Sequence, residues 1–170
     1  MQDGLIRKGK AFKFGDNIST DHIAPGRLFH LRNNLEEFSK HVLEDADPNF
    51  ASQVQKGDFV VAGNNFGLGS SREHAPQIIK LAGVGAVIAK SFARIFYRNA
   101  INIGLLAIEC NTDNIKAGDE LELDIKKGIL KDVTQGFELE ITPLPDVMIK
   151  LLDDGGLVAH LNKNGDFKLV

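Results

Sequence analysis

Basic and apolar residues alternate from Ile6 to Phe14, and this period of two predicts a strand within Gly4–Phe14. The polar stretch from Gly15 to Asp21 then reads as a loop. Behind Asn34, a capping residue, Leu35, Phe38 and Val42 recur at helical spacing, which predicts a surface helix over residues 35–45 that Asp47-Pro48 stops. Three short apolar runs follow at residues 59–63, 86–90 and 104–109, of the kind made by strands buried on both faces. Between them, residues 77–83 and 91–102 have helical patterns, so the middle of the chain reads βαβαβ. Right-handed crossovers would bring the loops after Gly63 and Ala89 to one sheet edge, where ligand chemistry belongs. Residues 120–125, 128–133 and 137–142 are short strands set off by turn signals, and a final helix runs from Pro145 to the stop at Gly155-Gly156. The expected fold is one α/β domain over residues 1–170, with a mixed, largely parallel sheet flanked by helices.

Composition narrows the partners. The chain has 170 residues, 43% of them hydrophobic, enough for one well-buried core. Its net charge is -3, from 20 basic and 23 acidic residues, which gives no field for nucleic acid or an anionic membrane. No apolar run is long enough to span a bilayer and the start has no signal-peptide core, so a cytoplasmic protein is expected. Cys110 is the single cysteine, which rules out an internal disulfide and leaves too few thiolates for an iron-sulfur cluster on this chain. Cys110 follows an apolar run and reads as a packing residue at a strand end.

Three segments carry candidate chemistry. In Gly67-Leu68-Gly69-Ser70-Ser71-Arg72-Glu73-His74, between a strand and a helix, the glycines admit close backbone approach and the amides ahead of the helix suit an anion. Ser70 and Glu73 have capping-box spacing, but a helix begun at Ser70 would place Pro76 beyond the first turn. The helix is therefore expected to become regular near Glu73, leaving Ser70, Ser71 and Arg72 on the loop, with Arg72 able to grip a carboxylate through two parallel bonds. An ordinary capped helix start with a solvated arginine is the competing interpretation. The second segment, Phe14 to Gly26, gathers Asp16, Ser19, Thr20, Asp21 and His22, groups that either orient proton transfer or simply build turns. His22, His30 and His41 have no metal-ligand spacing. In the third, Arg94, Arg98 and Asn102 share one helical face, open to solvent, a partner protein or an anion.

Together FGDNISTDHIAPG, GNNFGLGSSREHAP and AKSFARIFYRNAINIGLL resemble, in order and spacing, the swivelling domain of the aconitase superfamily, which isopropylmalate dehydratases carry as a separate small subunit. The resemblance is strong from about Lys8 to Glu109. It implies a hydro-lyase active only with a large subunit, as a heterodimer or heterotetramer, the large subunit holding a [4Fe-4S] cluster. The substrate would be a small dicarboxylic or tricarboxylic hydroxy acid. By the same resemblance Ser70 is the general base, Asp21 supports proton transfer on the hydroxyl side, Arg72 holds a substrate carboxylate and Ser71 shapes the loop. Arg27, Leu28, Phe29, His30 and Leu31 fall in the family's substrate-specificity loop, with Phe29 and Leu31 suited to an isopropyl group. Arg32 aligns with an arginine that binds a third carboxylate in aconitase and homoaconitase. Leu68 stands where many small subunits have a cysteine that is not a cluster ligand. The sequence thus points to an isopropylmalate dehydratase, with homoaconitase or a dimethylmalate dehydratase as alternatives. A non-catalytic metabolite-binding or regulatory module on the same fold is a further alternative.

Overall fold

In the computed structural model, which describes residues 5–165, the opening strand β1 (Ile6–Lys13) is the middle strand of a seven-stranded sheet. On one side it pairs parallel with β2 (Phe59–Ala62), beyond which lie β3 (Ala86–Ala89) and β4 (Ala107–Glu109). On the other it pairs antiparallel with β5 (Glu120–Asp124), then β6 (Ile129–Asp132) and β7 (Phe137–Glu140). The order β4-β3-β2-β1-β5-β6-β7 makes the sheet mixed, as the sequence pattern predicts, and both halves hang on β1. Gly4, the first residue of the expected opening strand, lies outside the described residues.

Alternation explains the continuous apolar runs. Val60, Ala62, Val87 and Ala89 face one core with Ile78 and Ile79 of α4 (His74–Leu81) and Phe96 and Ala100 of α5 (Arg94–Asn102). Their neighbours Phe59, Val61, Ala86 and Ile88 face a second core with Leu121, Leu123 and Leu130 from the antiparallel half. Strands β2 and β3 are therefore buried on both faces.

Several elements differ from the sequence pattern. Only α2 (Leu35–Ser39) forms of the helix expected over residues 35–45, capped by Asn34 Oδ1 accepting from Glu37 N at 3.2 Å. Past it the chain turns, Leu43 takes a positive φ of 58° and its N–H leaves the helical ladder to donate to Ile23 O at 3.0 Å. Phe38, Val42 and Leu43 are fully buried, so this segment is a core wall rather than a surface helix. The loop after β1 contains α1 (Thr20–Ile23), capped by Ser19, and a 3-10 helix spans Gly26–Asn33. A four-residue helix, α3 (Phe50–Gln53), precedes β2. Gly155-Gly156 ends α6 (Asp146–Asp153) as expected, but the chain then forms α7 (Leu157–Asn164). The exposure of Val158 and Leu161 hides the amphipathic signal of α7. Its one buried side chain, His160, is anchored through Nδ1 to Asp154 Oδ2 at 2.6 Å.

At the far side of the sheet Asp119 and Asp132, 5% and 1% exposed, hydrogen-bond to each other between the start of β5 and the end of β6. Burial, then the contact with Asp119, pushes the Asp132 carboxyl above its ordinary range. For Asp119 burial acts in the same direction but is outweighed by hydrogen bonds from Asp132, Lys116 N and Gln135, so its carboxyl lies below that range. The contact therefore favours keeping a proton on Asp132 while Asp119 ionises. A folded state that keeps this proton above the unfolded aspartate pKa of about 3.9 binds more protons than the unfolded chain, so the contribution of Asp132 is present at acidic pH and is lost as pH rises through its folded pKa. Asn at position 132 keeps a donor toward Asp119 without titrating. Asp132→Asn is expected to flatten the pH dependence of the melting temperature above about pH 4 and to melt no lower than wild type at pH 7. Thermal unfolding across pH checks this; a lower melting point at pH 7 with an unchanged pH slope contradicts it.

Candidate active site

Beyond the sheet edge the loops after β1, β2 and β3 continue to bond to one another. Phe14 N donates to Val61 O, Asn17 N to Asn64 O, Gly67 N to Ile18 O and Thr20 N to Leu68 O, at 2.7 to 2.8 Å. Ser91 O accepts from Phe66 N at 3.0 Å, and Ala93 N donates to Phe66 O at 2.9 Å. The loops after Gly63 and Ala89 therefore do share one edge, and the loop after β1 joins them. This close approach depends on Gly67, whose φ is +86° and where a Cβ would run into the ring of Phe96.

The resulting contact brings sequence-distant residues together. Ser70 N donates to Thr20 Oγ1 at 3.2 Å, and the two hydroxyl oxygens are 3.1 Å apart. Arg72 Nη1 donates to Asp21 Oδ1 at 2.5 Å and to Ala24 O at 3.1 Å. The Arg72 side chain is 23% exposed and Asp21 68%, so the arginine is seated and the carboxylate open to solvent. Helix α4 begins at His74 behind Glu73, with no side-chain cap. Ser70, Ser71 and Arg72 consequently lie on the loop, and Pro76 falls in the first turn, where a missing N–H is tolerated.

The 3-10 segment borders this cluster. The Phe29 ring, 43% exposed, lies under the Arg32 guanidinium at 4.5 Å and near that of Arg72 at 5.8 Å. Arg32 Nη1 donates only weakly, at 3.3 Å, to Phe29 O. His74 packs edge-on to Phe29 at 5.7 Å and stacks on Phe38 at 5.5 Å, and its buried Nε2 has no hydrogen-bond partner among the described residues. Burial, followed by the charges of Arg72 and Arg32, pushes its imidazole below the ordinary range. His74 is therefore neutral at pH 7 and adds no third cation.

Other expected site residues point elsewhere. Arg27 is ion-paired to Glu44 and Asp45 at 2.6 and 2.7 Å, Leu28 and Leu31 pack on the core, and His30 is exposed. Leu31, partly buried, thus packs against the core, whereas the Phe29 ring is exposed. His22 Nδ1 accepts from Ser19 N at 2.9 Å as part of the α1 cap, so it acts locally. Arg94, Arg98 and Asn102 line a groove with Met148 and Leu151 of α6, and among the described residues no hydrogen bond or ion pair joins them to Asp21, Ser70 or Arg72. Thr20, 2% exposed, also joins the cluster; in the sequence it stood among groups that either orient proton transfer or build turns, and no local signal gave it a role of its own.

A [4Fe-4S] cluster does not fit the groups of this chain. Cys110 is buried, and burial pushes its thiol up to about 11, the range of a protonated packing residue. Among the described residues no three His, Cys, Asp or Glu side chains are grouped to hold a metal, and no helix is long and apolar enough to cross a membrane.

The comparisons with known proteins agree with this geometry. The family model of the aconitase C-terminal domain matches residues 13–113. The chain is 62% identical to 3-isopropylmalate dehydratase small subunit 1 of Thermotoga maritima, over 96% of this chain and 99% of that one. It is 53% identical to the methanogen homoaconitase small subunit of Methanothermobacter thermautotrophicus, over 96% of this chain and 95% of that one. A crystal structure of 3-isopropylmalate dehydratase from Methanocaldococcus jannaschii superposes with a TM-score of 0.91 at 45% identity, covering 95% of this chain and 96% of that one. The chain belongs to the aconitase C-terminal domain family, among its 3-isopropylmalate dehydratase small subunits.

Proposed function

We propose that this chain supplies the proton-transfer half of a cytoplasmic 3-isopropylmalate dehydratase that is complete only with a large subunit carrying the [4Fe-4S] cluster. The observation that carries this reading is the convergence of Ser70, Arg72 and Asp21 on one solvent-facing edge, with Arg72 already seated. The reaction exchanges a hydroxyl and a hydrogen between adjacent carbons through an alkene. The hydrogen removed is only weakly acidic, so the base must be strong when it acts and stabilised until then. Ser70, bonded to Thr20 and two residues from Arg72 on the same loop, meets that requirement as an alkoxide stabilised by hydrogen-bond donors and cationic neighbours. Arg72 spends Nη1 on Asp21 and Ala24 O, which leaves the edge formed by Nε and Nη2 for a substrate carboxylate in a two-bond grip. Asp21, exposed and held by Arg72, serves the hydroxyl end. Ser71 shapes the loop.

Specificity rests on Phe29 and Arg32. The exposed Phe29 ring offers an apolar surface for an isopropyl group, while Arg32 stays stacked on it. A second reading, homoaconitase, is favoured by one observation: Arg32 has no acidic partner among the described residues and is available to a third carboxylate. Dimethylmalate would use the Phe29 surface in the same way.

Two substitutions in the assembled enzyme test these roles. Ser70→Ala is expected to lower kcat by about 100- to 10,000-fold with KM nearly unchanged, as for a group that acts in the transition state. Retention of more than about a tenth of the activity rejects Ser70 as the base. Arg32→Ala is expected to leave kcat/KM on isopropylmalate within about tenfold and to lower any activity on homocitrate-type acids by about 30-fold or more, the effect of losing a charge-assisted bond to a partly desolvated anion. Activity confined to tricarboxylic acids in both forms, with isopropylmalate never turned over, establishes the homoaconitase reading instead.

A further inference from the structure

We infer that Thr20 is the positioning residue of the proton-transfer serine, its hydroxyl remaining the donor to Ser70 Oγ when that oxygen is deprotonated. The inference rests on the assignment of Ser70 as the base.

Thr20 opens α1 and is 2% exposed, although it adjoins the exposed Asp21. Its backbone N–H donates to Leu68 O at 2.8 Å, so the residue is pinned to the loop that carries Ser70. Its Oγ1 accepts from Ser70 N at 3.2 Å and lies 3.1 Å from Ser70 Oγ. A threonine hydroxyl has one proton and two acceptor lone pairs. One lone pair is taken by Ser70 N–H, an acceptor role that does not depend on the state of the serine. In the contact between the hydroxyls either oxygen can donate while both are protonated. Once Ser70 carries negative charge it has no proton to give, and Thr20 must be the donor. A neutral hydrogen bond thus becomes a charge-assisted one in the reactive state, roughly twice as strong. That difference between states is what makes a contact count toward turnover rather than toward folding alone.

Local structure keeps the geometry. The β-branched side chain of Thr20 has few χ1 choices, and burial holds it in place. Gly69, at φ +112°, leaves room for the hydroxyl, because a Cβ there would come within 3.0 Å of Thr20 Oγ1. Atoms balance simply. The substrate C–H bond breaks as its proton passes to the Ser70 alkoxide, and the electron pair left behind forms the alkene as the hydroxyl leaves the adjacent carbon with the C–O pair. On rehydration the hydroxyl adds to the carbon that lost the proton, and Ser70 returns the proton to the neighbouring carbon and is an alkoxide again. The Thr20 proton stays on Oγ1 throughout.

The test uses the complex of this chain with its large subunit. Thr20→Val keeps the shape and removes the hydroxyl; Thr20→Ser keeps the hydroxyl. For Thr20→Val the expected result is a kcat about 10- to 100-fold lower, a KM within about threefold, and a larger primary isotope effect on substrate deuterated at the carbon that loses its proton. Thr20→Ser is expected to recover kcat to within about threefold of wild type. If Thr20→Val does not assemble, Thr20→Ala is measured in the same way. Wild-type kcat without the hydroxyl, or a loss that Thr20→Ser does not repair, overturns the inference. If that occurs while Ser70→Ala is inactive, this inference alone falls; if Ser70→Ala remains active, the base assignment falls and takes it along.

Discussion

Everything at the site depends on the parallel pairing of β1 and β2 continuing past the ends of both strands. The register Ala11 to Phe59, Phe12 to Val60 and Lys13 to Val61 runs on through bonds from Phe14, Asn17 and Thr20 to the loop after β2, ending in a bridge between Ser19 and Leu68. Loops are ordinarily the mobile part of a fold, but here backbone bonds hold two of them together as firmly as strands. Because the bonding stops at Thr20 and Leu68, the next residues on each side, Asp21 and the pair Gly69-Ser70, emerge together at the solvent edge. Sequence separations of about fifty residues are thereby converted into hydrogen-bond distances: Thr20 to Ser70 and Asp21 to Arg72. A one-residue slip would exchange every inward and outward side chain, so the two buried cores that fix the register also fix the site.

The strands and the two crossover helices were legible because β2 and β3, buried on both faces, need apolar residues at every position, and the helices between them need a single apolar face. Pro76 and the two glycines around Leu68 were enough to place Ser70, Ser71 and Arg72 on a loop ahead of α4. Residues 40–46 were less legible, since Val42 and Leu43 satisfy a helical pattern while the backbone turns so that both enter the core. Tertiary contact with Ile23 overrides local propensity there. Likewise the 3-10 segment has no periodic signal, because only Leu28 and Leu31 touch the core and Phe29 faces outward. The Asp21 to Arg72 pair was invisible in the sequence. Each residue was a candidate by itself, but local patterns do not show which of the several charged groups in two separate loops will meet.

The arrangement suits the half-site proposed above. Arg72 is oriented by Asp21 and Ala24 O, Ser70 by Thr20, and Phe29 by His74, which remains neutral between two guanidiniums. Each group that faces solvent thus has a buried or paired neighbour that holds it, the preorganisation that charge development in a transition state requires. The thiol chemistry that a cluster needs is lacking in this chain, whose one cysteine packs at the end of β4 as a protonated side chain. The proposed division of labour gives proton transfer and carboxylate recognition to this chain and the cluster to the partner.

That division is tested most directly by anaerobic titration of this chain into its purified, cluster-reconstituted large subunit, with isopropylmalate turnover and the iron spectrum followed together. The account predicts no turnover and no cluster absorption for this chain alone, and none of the isomerisation for the large subunit alone. Activity should rise with added chain and saturate at equal stoichiometry. A stoichiometric [4Fe-4S] spectrum on this chain, or isomerisation by either subunit without the other, would contradict it.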